Sequence, residues 1–203
     1  MSGRGRSNPL ALAVLTCLHE KPMHPYEVAQ TLRVREKHES IKLNYGSLYS
    51  VIGSLEKRGL VTARETVREG RRPERTIYEI TADGERELVD WLSILVAQPE
   101  KEYLRFEAAL SLLHALPLDD AIALLRERVD RLEHEVLRQK ATEQYAADLG
   151  VPRLFLVEGE YVHALLRTEL DFVRALITDI ETGSLEGIEL WRNGFAPETG
   201  DEG

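Results

Sequence analysis

Six apolar residues in the second half of the chain are spaced alternately four and three residues apart, a pattern that a long helix brings to one side. They are Leu118, Ile122, Leu125, Val129, Leu132 and Val136. Because 3.6 residues make one helical turn, this spacing aligns all six as the seam of a coiled coil over nearly three heptads. Gly150 and Pro152 follow as helix-breaking residues. The sequence therefore predicts long, packed helices for this half of the chain.

Further helices are predicted on both sides of this seam. One covers about residues 103–115, and a last long helix runs from about Arg153 to Glu181, where Gly183 ends it. A short helix around residues 185–191 can pack back on the others. The apolar faces are too wide for a lone module, which favours a dimer core. An intramolecular bundle packed on itself is the alternative.

The first part of the chain follows a different plan, with three short helices and then a hairpin. Pro9 and Pro25 can each occupy a first helical position, and a third helix is expected from about Tyr45 to Arg58. Two segments that alternate apolar and polar residues follow, separated by the turn sequence Gly-Arg-Arg-Pro-Glu, which predicts a β-hairpin. Thr81 can cap a fourth helix.

This order of elements is typical of a winged helix-turn-helix. We therefore predict a mainly α fold with a small β-hairpin wing. Residues 1–92 would form the winged helix-turn-helix domain, and residues 93–203 a helical, coiled-coil-like dimerisation and effector domain.

Charge is divided unevenly between the two halves of the chain. Residues 1–80 contain 14 Lys and Arg against 9 Asp and Glu, a balance of +5. Residues 81–203 contain 12 against 26, a balance of −14, and the two add up to the net charge of −9. The N-terminal part can therefore approach nucleic-acid phosphates, whereas the acidic part would be repelled by them.

The third predicted helix begins with small and aromatic hydrogen-bonding residues and ends with core residues. In a winged helix-turn-helix, the N-terminal residues of this helix lie nearest the base edges of the DNA major groove, and its first N–H groups favour phosphate. Arginines at the hairpin tip suit the minor groove or the backbone. The tyrosines could instead be rim residues of the core, Ser47 a helix cap, and the arginines a solvated turn. The predicted DNA-binding residues are Tyr26, Lys42, Asn44, Tyr45, Gly46, Ser47, Tyr49, Ser50, Arg71, Arg72 and Arg75.

Combined motifs over about residues 9–92 resemble the PadR family of bacterial transcriptional regulators. A Met-His-x-Tyr-Glu segment opens the second helix, and Gly-Ser-Leu-Tyr lies on the third. Leu-Glu-x-x-Gly-Leu follows, and then the wing. The matching positions are Met23, His24, Tyr26, Glu27, Gly46, Ser47, Leu48, Tyr49, Leu55, Glu56, Gly59, Leu60, Gly70, Arg71, Pro73, Tyr78, Thr81 and Gly84.

The resemblance implies a regulator, expected to be a repressor, that binds double-stranded operator DNA as a homodimer joined by its C-terminal helices. It also implies a small hydrophobic or phenolic effector, bound at or near the dimer interface, that shifts the population of DNA-binding dimers. Aromatic residues that could line such a pocket are Trp91, Tyr103, Phe106, Phe155 and Trp191. Each of them can equally be a core residue.

Other classes of function have little support in the sequence. Glu160 and His163 have the Glu-x-x-His spacing of di-iron bundles, but only one such motif is present, so we expect neither a metal nor a cofactor. No catalytic motif stands out, and we do not expect an enzyme. The single cysteine, Cys17, fits a buried position in a cytoplasmic protein, and no segment is apolar enough to suggest membrane insertion. The main alternative is a winged helix used for protein contact without sequence-specific DNA binding.

Overall fold

The computed structural model describes residues 8–37, 41, 44–67 and 75–193, with the backbone alone for Tyr45, residues 65–67 and Arg75. It divides the chain into two compact units, residues 1–102 and 103–203. The fourth helix continues beyond the expected boundary at residue 92, so it belongs entirely to the first unit. Among the described residues, no helix is both long and apolar enough to cross a membrane.

The described residues of the N-terminal unit form four helices and one hairpin, in the order predicted from the sequence. The elements are α1 (Pro9–Glu20), α2 (Pro25–Val34), α3 (Tyr45–Lys57), β1 (Val61–Val67), β2 (Arg75–Ile80) and α4 (Ala82–Ala97). The predicted cap at Thr81 forms, since its side chain accepts a hydrogen bond at the start of α4, and the side chain of Asn8 does the same at the start of α1. Gly59 ends the turn after α3 with φ of 72°, a left-handed conformation that favours glycine.

One core joins these elements. Its most enclosed side chains include Leu15 on α1, Val28 on α2, Ile52 on α3 and Trp91 on α4. The loop before α2 also joins the hairpin, because Met23 and Tyr78 exchange two backbone hydrogen bonds of 3.0 Å. The wing is thereby anchored at its base to the helices.

The two strands pair antiparallel with one irregularity. Val61 lies opposite Ile80 and Ala63 opposite Tyr78, but the register shifts before Glu65, which lies opposite Ile77. One extra residue, Arg64, is thus accommodated in β1 as a bulge.

The C-terminal unit is built around two long helices. Its helices are α5 (Arg105–Ser111), α6 (Leu118–Asp148), α7 (Val157–Thr182) and α8 (Ile188–Arg192), with 3₁₀ turns at Leu113–Ala115 and Arg153–Phe155. Both 3₁₀ turns lie where the sequence suggested continuous α-helix. At the second, Phe155 and Leu156 bond to carbonyls three residues back, so α7 begins only at Val157.

The heptad seam of α6 packs against α7 of the same chain. All six seam residues belong to a core that also contains Leu170, Val173 and Ile180 of α7. Ion pairs join the two helices in reverse order, Arg126 with Glu181 and Glu133 with Arg174, so the helices are antiparallel. The bundle that the sequence left as an alternative therefore accounts for this seam.

Candidate nucleic-acid interface

Helix α3 has a buried face and an exposed face, as its periodicity predicted. Leu48, Ile52 and Leu55 are at most 2% exposed and join the N-terminal core. The intervening residues near its N-terminus, Gly46, Ser47, Tyr49 and Ser50, are all exposed. The first two turns of α3 therefore present small and hydrogen-bonding groups to solvent.

Asn44 caps this helix. Its side-chain oxygen accepts a hydrogen bond of 2.9 Å from the backbone N–H of Gly46. The cap role that the sequence allowed for Ser47 thus belongs to Asn44. The Ser50 hydroxyl donates to the Gly46 carbonyl at 3.1 Å, and its oxygen can still accept.

Two tyrosines flank this surface, and neither is a core residue. Tyr26, at the start of α2, is 55% exposed and Tyr49 is 53% exposed. The nearby Tyr78 of β2 is half-buried, and its pKa is raised, first by burial and then by the proximity of Glu56 and Tyr49. Tyr49, on the exposed face of α3, therefore lies near Tyr78 of the wing.

The most basic part of the predicted interface lies outside the described residues. This applies to Lys42, Arg71 and Arg72, and of Arg75 only the backbone at the start of β2 is described. Arg64, at the strand bulge, is exposed and lies 3.7 Å from the Glu79 carboxylate.

Residues 14–90 match the model of the transcriptional regulator PadR-like family. Over these residues, the N-terminal unit is similar to the PadR-like family of transcriptional regulators. No curated protein sequence matches the chain.

Solved structures share the fold over most of the chain. Bacillus subtilis PadR in complex with operator DNA is 18% identical, with a TM-score of 0.64 over 84% of this chain and 98% of that one. The same protein in complex with p-coumaric acid is 16% identical, with a TM-score of 0.68 over 85% and 98%. The Vibrio cholerae virulence activator AphA is 18% identical, with a TM-score of 0.63 over 85% and 98%. The PadR-like fold therefore extends through both units.

The aromatic residues predicted to line an effector pocket are dispersed. Trp91 is 2% exposed in the N-terminal core, while Tyr103 and Phe155 are 86% and 68% exposed. The Cζ atom of Arg128 lies 3.5 Å from the centroid of the Phe106 ring. Phe106 and Trp191 of α8 both pack against the C-terminal core. The structure thus brings only Phe106 and Trp191 into one cluster.

Trp191 also lines a cavity of about 420 Å³ in the C-terminal unit. Its indole N–H donates to the Leu116 carbonyl at 2.8 Å, so the predicted tail helix does pack back on the unit. Other lining residues, including Phe172, His114 and Glu186, were missed by the sequence analysis. They come from three separate segments, and their proximity has no signal in the local pattern.

The Glu-x-x-His pair of α7 is engaged in two separate contacts. Glu160 bonds to Arg153, and this pairing holds the pKa of its carboxyl below the usual value. His163 Nδ1 lies 3.0 Å from a Glu143 oxygen. Within the described segments, no cluster of three or more His, Cys, Asp or Glu side chains could hold a metal.

Proposed function

We propose that this chain is a PadR-like regulator that binds operator DNA through the N-terminal turns of α3 and the wing. The exposed face of α3, opposite a face fixed in the core, carries the proposal. A helix held in this way can enter the major groove without losing its packing. The complex of Bacillus subtilis PadR with operator DNA supports it.

The first turn of α3 suits contact with phosphate as well as with bases. Its leading N–H groups and helix dipole favour an anion. Gly46 and Ser47 are small and exposed, so a DNA backbone could approach the helix closely. The predicted basic residues of the wing tip would add contacts that do not depend on the DNA sequence.

We also propose that the protein acts as a homodimer, since a symmetric operator needs two such units. Helix α7 supports this because it keeps an apolar stripe outside the pairing with α6. Val157, Tyr161 and Leu165 are 50%, 65% and 52% exposed, and their spacings of four residues place them on one helical face. A second copy of the chain could cover this stripe.

The regulator is proposed to be a cytoplasmic repressor that a small hydrophobic or phenolic effector releases from DNA. The complex of Bacillus subtilis PadR with p-coumaric acid supports a small-molecule effector. The effector would act by favouring dimers whose DNA-binding units do not match the operator spacing.

DNA binding can be tested by fluorescence anisotropy with the DNA upstream of the gene that encodes the chain. We expect tight binding. The logarithm of the association constant should fall linearly with the logarithm of the salt concentration, with a slope of about −0.9 for each phosphate contact. A protein-contact module would show neither the affinity for this DNA nor a preference over a scrambled duplex.

Serine variants on α3 locate the contact surface. Ser47→Ala is expected to weaken binding and relax sequence preference. Ser54→Ala makes the same chemical change on the same exposed helical face, seven residues or about 10 Å further along the axis, and serves as the matched control. Equal effects of the two variants would contradict the proposed placement of the N-terminal turns.

Sedimentation equilibrium tests the dimer separately. Leu165→Glu puts a charge into the exposed stripe of α7 and should shift the protein toward monomer. Thr178→Glu, at an exposed position on another side of α7, should leave the dimer intact. A dimer that tolerates both substitutions would exclude this stripe as the interface.

A further inference from the structure

The cavity in the C-terminal unit is large enough for a small organic molecule. Its volume of about 420 Å³ falls within the range of about 300–1,000 Å³ found for ligand pockets. Residues from α5, α7 and α8 contribute to it, together with the turns that precede α6 and α8. The site is therefore contained within one folded unit of the chain.

Most of the cavity wall is apolar, and two aromatic side chains contribute to it. Leu113 and Leu176 form part of the wall with Phe172, which is 51% exposed. Trp191 is held in position by the hydrogen bond from its indole N–H to the Leu116 carbonyl. Such a wall favours a hydrophobic ligand, and its aromatic rings can also interact with a cation.

The cavity is lined by one carboxylate, and its other titratable side chain is the imidazole of His114. Glu186 lines it, and no lysine or arginine does so among the described residues. Within the described segments, Glu186 has no ion-pair partner of its own. The surrounding charge acts in the same direction, because residues 103–203 contain 10 Lys and Arg against 20 Asp and Glu. A ligand carboxylate would be repelled here, whereas an ammonium group would be attracted.

We propose that this cavity is a binding site for a small hydrophobic cation, whose apolar body packs on Phe172 and Trp191 while its positive group lies near Glu186. The proposal narrows the chemistry of the effector, and only its consequence for DNA rests on the proposed function. The proposed ligand carries a positive charge, whereas a phenolic acid carries a negative one.

Three probes with one carbon skeleton test the sign of the charge. Cinnamylammonium, cinnamyl alcohol and cinnamate would each be titrated into the full-length protein by calorimetry, with tryptophan emission as a second signal. Trp191 lines the cavity and Trp91 is buried in the other core, so binding should alter mainly the Trp191 emission. We expect cinnamylammonium to bind tightest and cinnamate weakest, with steps of about fivefold for one exposed ionic contact.

Two isosteric variants on neighbouring positions assign the selectivity. Glu186→Gln should bring the affinity for cinnamylammonium down to that for cinnamyl alcohol and leave the alcohol unchanged. Glu189→Gln, which removes a carboxylate that pairs with Arg192 and does not line the cavity, should retain the preference. Both positions are exposed, so neither variant should affect folding.

Three results would overturn the proposal. The first is that cinnamate binds as tightly as cinnamylammonium. The second is that Glu186→Gln still prefers cinnamylammonium to cinnamyl alcohol. The third is that none of the probes binds, as would be the case if a second copy of the chain filled the cavity. These titrations contain no DNA, so their outcome does not depend on whether the protein binds an operator. If cinnamylammonium binds but leaves the affinity for operator DNA unchanged, the site stands and its effector role is excluded.

Discussion

Gly84 lies so close to Leu60 that no side chain fits between them. A Cβ atom at residue 84 would lie 2.0 Å from the Leu60 carbonyl oxygen and 2.7 Å from the Ile80 side chain. The same carbonyl accepts a hydrogen bond from the Thr81 N–H, so it cannot easily move away. This close approach fixes the start of α4 against Leu60, in the turn between α3 and β1, and it gives a physical reason for the glycine three residues after Thr81.

Gly84→Ala is therefore expected to destabilise the N-terminal unit by about 1–3 kcal/mol, the typical range for a substitution that overpacks a close contact. Urea denaturation followed by circular dichroism would measure it. Gly53→Ala is the control, because a Cβ there meets nothing within 4 Å. It should be neutral or stabilise α3 by up to about 1 kcal/mol. Equal stability of the two variants would contradict the contact.

Asn44 allows the cap of α3 to be separated from DNA contact. Aspartate also caps helices, so Asn44→Asp should keep the stability within about 0.5 kcal/mol, whereas Asn44→Ala should lose about 1 kcal/mol. The new negative charge should nonetheless weaken DNA binding about fivefold, the effect of roughly 1 kcal/mol of repulsion near phosphate. Thermal denaturation and anisotropy on the same samples would test both expectations. Unchanged DNA affinity in Asn44→Asp would place the DNA elsewhere.

Two adjacent leucines test the packing of α6. Leu125 is 3% exposed in the seam, whereas Leu124 is 50% exposed. Leu125→Ala should cost about 2–5 kcal/mol in the free energy of unfolding of the C-terminal unit, because it leaves a cavity in the core. Leu124→Ala should cost less than about 1 kcal/mol. Comparable losses in chemical denaturation would argue against the packing of the α6 seam on α7 described above.

Cys17 is expected to be unreactive in the folded protein. Its side chain is 1% exposed, and burial raises the pKa of its thiol to about 11. At pH 8 only about 0.1% of the Cys17 side chains would be in the thiolate form, compared with roughly a quarter for a free cysteine of pKa about 8.5. Labelling with a thiol reagent should thus be slow in buffer and fast in denaturant. Rapid labelling of the native protein would show that α1 is less well packed than described.

The ion pair between Glu20 and Arg35 should contribute a small, pH-dependent stabilisation. The hydrogen bonds from Arg35 hold the pKa of Glu20 below its usual value of 4.5. Since the folded state has the lower pKa, the contribution is present above pH 4.5 and is lost as the pH falls through the folded value. Both side chains are more than one third exposed, so Glu20→Gln should cost less than about 1 kcal/mol at pH 7.

Denaturation curves at pH 7 and pH 3 would measure the pH dependence. The difference between wild type and Glu20→Gln should shrink at the lower pH. The exposed Glu36 lies one residue beyond Arg35, and Glu36→Gln is the control for the general loss of one negative charge. A difference that grows on acidification would contradict the sign of the shift.

The sequence predicted most accurately those elements whose ends are set by local preferences. Pro9, Pro25 and Thr81 mark helix starts that the structure confirms, and α3 ends within one residue of the predicted position. The 3₁₀ turn before α7 was not predicted, because an apolar pattern does not distinguish it from a first helical turn.

Tertiary partners were harder to predict than elements. A heptad seam indicates that an apolar face is covered, but it does not say whether the covering helix belongs to the same chain. At the candidate interface, periodicity predicted the exposed face of α3. Periodicity could not show that Asn44 is a helix cap rather than a DNA contact, because the same polar side chain suits both roles.

The pairing of α6 with α7 inside one chain bears on how oligomers of this protein could exchange subunits. A protomer whose long helices already cover each other retains a core of its own, so dissociation need not unfold it. The proposed dimer could then exchange subunits at the rate at which it dissociates, without an unfolding step. A cell that makes two related chains of this design could form mixed dimers from proteins already folded, and these would recognise operators with two different halves.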